Sequence, residues 1–208
     1  MNMKRRVDSP SKQLLIIFYR NPLLGKVKTR LAAELGDSKA LAIYLYLSSY
    51  TRTITEVIAT DKVVFYSDYI DSEDSWSNRV YLKQIQEGSD LGDKMRNAFK
   101  YGFEKGYNSI CIIGTDCFEL SSAIISNAFK ALTFSDAVIG PAKDGGYYLL
   151  GMNSPHVQFF ENKLWGTSSV FQDTVSDFKS ASIKFHELPV LSDIDEPSDL
   201  PESLRHLA

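Results

Sequence analysis

The chain has 208 residues, of which 44% are hydrophobic and 24% are charged, and this mixture excludes an intrinsically disordered protein. Its net charge of −3 argues against a general nucleic-acid binder. The longest apolar runs fall well short of the roughly 20 residues that cross a bilayer, which argues against a membrane-spanning helix.

The beginning of the chain is basic but does not resemble a secretion signal. Lys4, Arg5 and Arg6 are followed by polar residues, without the apolar stretch and the cleavage site of a signal peptide. We therefore expect a cytoplasmic protein. Residues 1–12 are expected to be a flexible basic segment and residues 13–208 a single domain, because no internal stretch divides a chain of this length in two.

The first half of the chain predicts alternating strands and helices. Gln13–Tyr19 is a continuous apolar run, as expected for a strand that is covered on both faces of a parallel sheet. Apolar residues then recur at helical spacing over residues 28–58, with a break near Gly36, after which Ser38 could cap a second helix. The other elements predicted here are strands over 62–67 and 80–85 and a helix over 91–105 that stops at Gly106.

The second half of the chain continues this alternation. A continuous apolar run over 109–114 predicts a buried strand, so Asp116 is expected at the carboxyl edge of the sheet. The other elements predicted here are helices over 121–132 and 168–180 and strands over 136–140, 145–151 and 182–188. This order predicts an α/β fold of three layers, with a mainly parallel, doubly wound sheet whose ligands bind at the carboxyl ends of the strands.

The loop between the first strand and the first helix has the composition of a phosphate site. It brings Lys26, Lys28, Thr29 and Arg30 together with the N–H groups at the start of a helix, and cations and helix dipole both favour an anion. The spacing of a Walker A motif is absent. An ordinary exposed basic loop is the alternative.

Carboxylates near strand ends indicate a metal site. Mg²⁺ is commonly held by one or two carboxylates together with ligand phosphates, and Asp116 is placed to provide one of them. In Asp193-Ile194-Asp195 the alternate carboxylates would point the same way if this segment is extended. A helix cap at Asp116 and a solvated acidic helix start, capped by Ser198, are the alternatives.

A turn with paired glycines is a candidate for contacts with a substrate. Gly145 and Gly146 permit a tight turn and the close approach of a ligand, and Asp144 and Tyr147 offer polar groups beside them. A plain hairpin turn explains the two glycines equally well.

Two further segments could contact a ligand. Trp165 offers a stacking surface and Thr167 a hydroxyl before a predicted helix, although Trp165 could be core and Thr167 a helix cap. Gly88, Asp90 and Gly92 lie between a predicted strand and a predicted helix, where a base or a ribose could rest.

The order of these segments, with their places at strand ends, resembles one bacterial family of transferases, the domain of unknown function DUF2064, whose members are often regarded as glycosyltransferases. The resemblance spans residue 13 to about residue 200. Its strongest elements are residues 25–31, 88–95, 114–117, 140–148, Trp165 with Thr167, and 193–195. Phe118 stands where members of the family usually have proline. The resemblance implies the GT-A, nucleotide-diphospho-sugar transferase type of fold.

The resemblance also implies roles for particular residues. Asp116 would hold a Mg²⁺ or Mn²⁺ cofactor, and Asp195 would be either a second ligand of this metal or a ligand of the acceptor. Asp144 and Lys28 would be catalytic. The nucleotide and its phosphates would contact Lys26, Lys28, Thr29, Arg30, Gly88, Asp90 and Gly92. The acceptor would lie near Gly145, Gly146, Tyr147, Trp165 and Thr167.

The resulting hypothesis is a metal-dependent enzyme that transfers a sugar from a nucleotide-diphospho-sugar to a small acceptor. Metal, Lys28 and Arg30 would neutralise the departing diphosphate, and Asp144 would accept the proton of the incoming hydroxyl. The alternative is a nucleotidyltransferase that joins a nucleoside monophosphate, taken from a nucleoside triphosphate, to a phosphorylated acceptor and releases pyrophosphate. A nucleotide-binding protein without catalysis is a third hypothesis. The oligomeric state stays open, a homodimer included.

Overall fold

The structure, a computed structural model, describes residues 12–161 and 163–207. The predicted flexible basic segment lies outside the described residues, apart from its last residue, Lys12, which is exposed. The single domain and the cytoplasmic location stay predictions. No helix among the described residues has the length and the hydropathy that crossing a bilayer requires.

The described residues form a sheet of seven strands. These are β1 (Gln13–Tyr19), β2 (Asp61–Tyr66), β3 (Leu82–Ile85), β4 (Ser109–Ile113), β5 (Ala137–Pro141), β6 (Tyr147–Met152) and β7 (Phe185–Glu187). Their order across the sheet is β3-β2-β1-β4-β6-β5-β7. Only β6 runs antiparallel to its neighbours among these strands, so the sheet is mainly parallel, as predicted.

Helices cover both faces of the sheet. They are α1 (Thr29–Leu35), α2 (Asp37–Glu56), α3 (Leu91–Glu104), α4 (Ser122–Ala131) and α5 (Val170–Ser180). Tyr44 of α2 and Phe129 of α4 pack on one face, and Phe99 of α3 and Phe178 of α5 pack on the other. The three-layer α/β fold predicted from the sequence is therefore confirmed.

The apolar run of β1 is continuous because both of its faces are covered. Leu15 and Ile17 pack in the cluster that contains α2 and α4, whereas Leu14 and Ile16 pack in the cluster that contains α3 and α5. All four side chains are fully buried. Each contributes about 2 kcal/mol of hydrophobic free energy, which fixes β1 at the centre of the molecule.

Three local predictions were wrong, each because a turn begins or ends at a different residue from the one predicted. Gly36, with φ 87°, separates α1 from α2, so that Ser38 lies inside α2 and does not cap it. The strand predicted from Gly145 starts at Tyr147, since Gly145 and Gly146 form the turn before it. The last strand is three residues long, because Ser182, with φ 55°, belongs to the turn after α5.

The strand order places a crevice between β1 and β4. The chain runs outward from β1 to β2 and β3, and then returns to β4 on the other side of β1. The chain therefore leaves β1 towards β2 on one side of this pair of strands, and it leaves β4 towards β5 on the other side. Ligands of open α/β sheets bind in the crevice at such a switch point.

Candidate functional site

A cleft of about 670 Å³ opens at this edge of the sheet. It is lined by the ends of β1 and β4, the loop before α1, the first turn of α3 and a segment near the end of the chain. The charged or hydroxyl-bearing residues along it include Arg20, Lys28, Thr29, Arg30, Asp68, Asp90, Lys94, Asp116, Asp193 and Asp195. Both signs of charge thus face one cavity.

Lys28 is held between two carboxylates of the cleft. Its Nζ lies 3.0 Å from Asp116 Oδ1 and 2.9 Å from Asp195 Oδ1, and its side chain is only 4% exposed. The residue precedes α1 in the left-handed region, with φ 46° and ψ 50°. That conformation is uncommon for residues other than glycine and costs about 1 kcal/mol, which the two ion pairs offset.

The two carboxylates come from distant parts of the sequence that are tied together by the backbone. Asp116 follows β4, and its carbonyl accepts a hydrogen bond from the N–H of Ile194 at 3.0 Å. Ile194 is buried against Leu31 of α1, whereas Asp193 and Asp195 line the cleft. The side chain of Ile194 therefore points into the core, while the carboxylates of Asp193 and Asp195 on either side of it face the cavity.

The charges of the cleft shift the pKa values of its members. Burial acts to lower the pKa of Lys28, but the charges of Asp116 and Asp195 outweigh it and leave this pKa above its ordinary value. Burial and then the charge of Asp116 raise the pKa of Asp193 to about 7, against the opposing charge of Lys28. Three carboxylates and one ammonium leave this end of the cleft with an excess of negative charge.

Asp193 was not among the predicted site residues. The alternate carboxylates of its segment were predicted to point the same way, but only Asp195 was assigned a role, whereas both residues line the cleft. Lys94, in the first turn of α3, was also missed, because nothing in the sequence shows which face of α3 borders the cleft.

Other cations of the cleft are available to a ligand. None of the ion pairs in the described part of the chain includes Arg20, Arg30 or Lys94. The backbone of Arg20 is fixed by Tyr44, whose hydroxyl donates to the carbonyl of Arg20 at 2.6 Å and accepts from its N–H at 3.0 Å. The chain is thereby held in place where β1 enters the cleft.

The structure brings together only part of the predicted site. The predicted residues that line the cleft are Lys28, Thr29, Arg30, Asp90, Asp116, Tyr147 and Asp195. Those that do not line it are Lys26, Gly88, Gly92, Asp144, Gly145, Gly146, Trp165 and Thr167. Lys26 is exposed, and its neighbour Val27 is buried, so the two lysines of the loop point to different environments.

Two of the glycines outside the cleft have packing contacts that require them. A Cβ at Gly92 would lie 2.3 Å from Trp165 Nε1, so the indole sits directly on the first turn of α3. A Cβ at Gly145, where φ is 90°, would lie 2.1 Å from the carbonyl oxygen of Ser168. The segment with Trp165 and Ser168 therefore packs against two elements that border the cleft.

Asp144 and Thr167 form local hydrogen bonds. Asp144 is exposed, and its Oδ1 accepts the N–H of Gly146 at 2.8 Å. Its charge nevertheless contributes to the raised pKa of Asp193, so the acidic end of the cleft is within electrostatic range of Asp144. Thr167 Oγ1 donates to the carbonyl of Leu164 at 2.7 Å.

The carboxylates fit a divalent cation that also contacts a ligand. Among the described residues no group of three or more His, Cys, Asp or Glu side chains forms a metal cage. Mg²⁺ needs no such cage, since one or two carboxylates, water and substrate phosphates complete its coordination. Asp116 and Asp195 have side chains that are 45% and 39% exposed, and their hard oxygen donors suit Mg²⁺ or Mn²⁺.

Comparison with solved structures finds this fold in several transferases. A structure from Desulfovibrio desulfuricans G20, titled "putative nucleotide-diphospho-sugar transferase", is 28% identical and has a TM-score of 0.83, over 94% of this chain and 90% of that one. The inositol-1-phosphate CTP transferase of T. maritima is 12% identical, with a TM-score of 0.50, over 96% and 95%. A cytidylyltransferase of Leptospira borgpetersenii is 13% identical, with a TM-score of 0.52, over 86% and 76%.

The sequence was also compared with models of protein families and with curated proteins. The family described as "Uncharacterized protein conserved in bacteria (DUF2064)" matches residues 51–167, which is more than half of the chain. No curated protein matches. The chain belongs to the DUF2064 family.

Proposed function

We propose that this member of the DUF2064 family transfers a sugar from a nucleotide-diphospho-sugar to a small acceptor, with Mg²⁺ or Mn²⁺ as cofactor. The observation that carries the proposal is the contact of Lys28 with both Asp116 and Asp195 at the switch point of the sheet. Cations for phosphate and carboxylates for a metal thus meet in one cleft, as a diphosphate requires.

Lys28, Thr29 and Arg30 are the proposed contacts of the diphosphate. All three line the cleft in consecutive positions, and no carboxylate of the described residues pairs with Arg30. The guanidinium offers two parallel N–H groups to phosphate oxygens, and the ammonium acts as a point charge beside it. Together they stabilise the negative charge that develops as the diphosphate leaves the sugar.

Asp116 and Asp195 are the proposed ligands of the metal. When bound, the metal supplies positive charge to the departing diphosphate. Asp193 lies at the same end of the cleft, and above its pKa of about 7 its carboxylate adds a negative charge that attracts a cation.

Asp144 is the proposed acceptor of the proton from the incoming hydroxyl. The hydrogen bond from the N–H of Gly146 holds its Oδ1 at the turn before β6 and leaves Oδ2 available to an acceptor. Tyr147, three residues further on, lines the cleft next to this turn. The acceptor is therefore expected between Asp144 and the phosphate-binding loop.

The names of similar structures support a transferase with a nucleotide substrate. The Desulfovibrio structure, whose title names a nucleotide-diphospho-sugar transferase, matches this chain with a much higher TM-score than the CTP transferase and the cytidylyltransferase do. We therefore favour transfer of a sugar over transfer of a nucleotide.

Product analysis tests the proposal. Purified protein with Mn²⁺ is incubated with a panel of nucleotide sugars and, separately, with nucleoside triphosphates and sugar phosphates. Release of a nucleoside diphosphate from a nucleotide sugar is expected, and it should fall at least roughly 100-fold in Asp116→Ala, because the departing diphosphate loses its metal-borne charge. Glu34→Ala, an exposed carboxylate of α1 outside the cleft, is the matched control.

The products also separate the competing hypotheses. Release of pyrophosphate from a nucleoside triphosphate would show that the enzyme is a nucleotidyltransferase and would contradict sugar transfer. No turnover with any donor, despite tight nucleotide binding, would favour a binding protein without catalysis.

A further inference from the structure

Lys28 contacts the same two carboxylates that are proposed to hold the metal. Its Nζ is within 3.0 Å of both, and the side chain is almost completely buried. The side chains of Asp116 and Asp195 are each more than a third exposed to solvent. In the protein without ligands, the ammonium is thus the cation that neutralises these carboxylates.

A divalent cation at Asp116 and Asp195 would have to share them with this ammonium. Two like charges a few ångströms apart in a partly buried site repel strongly, since water screens them less than it does at the surface. The backbone offers Lys28 little freedom to withdraw, because Val27 before it is buried and α1 begins directly after it. Relief must come from the side chain alone.

Phosphate oxygens provide that relief. Thr29 and Arg30, which follow Lys28 in sequence, line the same cleft, so a phosphate held by them also comes within reach of a lysine side chain. The ammonium can then exchange a carboxylate for a phosphate oxygen without losing a negatively charged partner. The carboxylate oxygens that it leaves are free for a metal.

We propose that Lys28 is an internal counter-cation that competes with the divalent metal for Asp116 and Asp195 until phosphate groups enter the cleft. This inference rests on the metal dependence in the proposed function. It requires that metal and phosphate bind cooperatively: the metal binds weakly to the free protein and much more tightly when phosphate is present. By linkage, the metal strengthens phosphate binding by the same factor.

Titration of Mn²⁺, followed by the electron paramagnetic resonance of the free ion, tests this inference without any turnover. Wild type, Lys28→Met and Lys39→Met are titrated with and without inorganic pyrophosphate, and each is corrected by a titration without protein because pyrophosphate itself binds Mn²⁺. Lys39 is an exposed residue of α2 outside the cleft, so Lys39→Met matches the change in net charge. Thermal unfolding of each variant verifies that it is folded.

Removing the competitor should strengthen metal binding. In the absence of pyrophosphate, Lys28→Met is expected to bind Mn²⁺ roughly tenfold more tightly than wild type, within the usual range of coupling between sites. Pyrophosphate should raise the Mn²⁺ affinity of wild type at least about tenfold, and that of Lys28→Met less. Lys39→Met should behave as wild type does.

The opposite outcomes separate this inference from the proposed function. In one outcome, wild type binds Mn²⁺ in the presence of pyrophosphate, but Lys28→Met without pyrophosphate binds Mn²⁺ no more tightly than wild type does. This result would overturn the competition by Lys28 and leave the proposed metal site in place. Absence of Mn²⁺ binding in both proteins, with or without pyrophosphate, overturns both. If Lys28→Met does not fold, the titrations of wild type alone test the inference. An Mn²⁺ affinity of wild type that does not change with pyrophosphate would contradict it.

Discussion

Asp144 lies at the turn before β6, outside the lining of the cleft, whereas Asp193 lines the acidic end of the cleft. Asp144 is exposed and bound to the N–H of Gly146, whereas Asp193 is partly buried near the charges of Asp116 and Lys28. We therefore expect a substitution of Asp144 to affect activity and a substitution of Asp193 to affect stability.

Asp144→Asn should impair catalysis without impairing binding. The amide keeps the shape of the side chain but cannot accept the proton of the incoming hydroxyl, and a general base contributes at least roughly 100-fold to the rate. We expect kcat to fall by about that factor, while the affinity for a nucleoside diphosphate with Mn²⁺, measured by calorimetry, stays within about twofold of wild type. Unchanged kcat would remove Asp144 from the mechanism.

Asp193 should make the stability of the metal-free protein depend on pH. Burial and the charge of Asp116 raise its pKa from 3.8 to about 7, so the folded state holds a proton between these values that the unfolded chain has lost. The stabilising contribution of this proton is complete below about pH 4 and disappears as the pH rises through about 7. The free energy of unfolding should therefore fall by at most about 4 kcal/mol over this interval relative to Asp193→Asn.

Urea unfolding with a chelator present measures this difference. Each protein is unfolded at several pH values between about 4 and 8, and wild type is compared with Asp193→Asn at each. A difference between the two that does not change with pH would show that Asp193 is not the group that titrates.

At the scale of elements, sequence patterns predicted the sheet because burial imposes them. The runs that form β1 and β4 are apolar after their first residue, since both faces of a central strand are covered. The ends of elements were less predictable, since turns decide them: Gly36 and Ser182 have positive φ, which no apolar pattern reveals. Ser38 was assigned as a cap for this reason.

The site was predictable where a strand end fixes the residue, and not where tertiary packing does. Asp116 lies three residues after Ile113, the last residue of β4, so its position follows from the strand. Trp165 was expected to contact a ligand, but it packs on Gly92. These two residues are far apart in sequence, so local sequence patterns do not predict their contact. Phe118, found where the family usually has proline, packs its ring 4.6 Å from that of Tyr50 in α2.

The turn before β6 should be sensitive to a single methyl group. In Gly145→Ala the new Cβ would meet the backbone of Ser168 and φ would be unfavourable, so we expect a loss of at least about 3 kcal/mol in the free energy of unfolding. Gly166→Ala has a similar φ of 80° but no atom within 4 Å, and should cost only about 1 kcal/mol. Urea unfolding of both variants measures how much the contact with the Ser168 backbone costs. Equal losses of unfolding free energy in the two variants would contradict this prediction.

At the scale of the whole molecule, opposite charges from the two ends of the chain meet in one cleft. Lys28 comes from the first 30 residues and Asp195 from the last 20, and their side chains are 2.9 Å apart. The sheet makes this possible, because β1 and β4 lie side by side although Ser109 follows Tyr19 by a long stretch of chain. Ligand binding should therefore stabilise the fold as a whole.

Thermal unfolding should report this linkage. A ligand that binds only the folded state adds about 2.7 kcal/mol at a concentration of 100 times its Kd. Pyrophosphate and Mn²⁺ together should raise Tm by several degrees, and by more than the sum of their separate effects. Purely additive shifts would contradict the coupling between the two.

Calorimetric titration of nucleoside diphosphates into the protein, with and without Mn²⁺, tests the central claim most directly. The account predicts that at least one of them binds with Mn²⁺ and that its affinity falls at least roughly tenfold when Mn²⁺ is left out or Asp116 is replaced by Asn. Equally negligible affinity for every nucleoside diphosphate, with or without Mn²⁺, would contradict it.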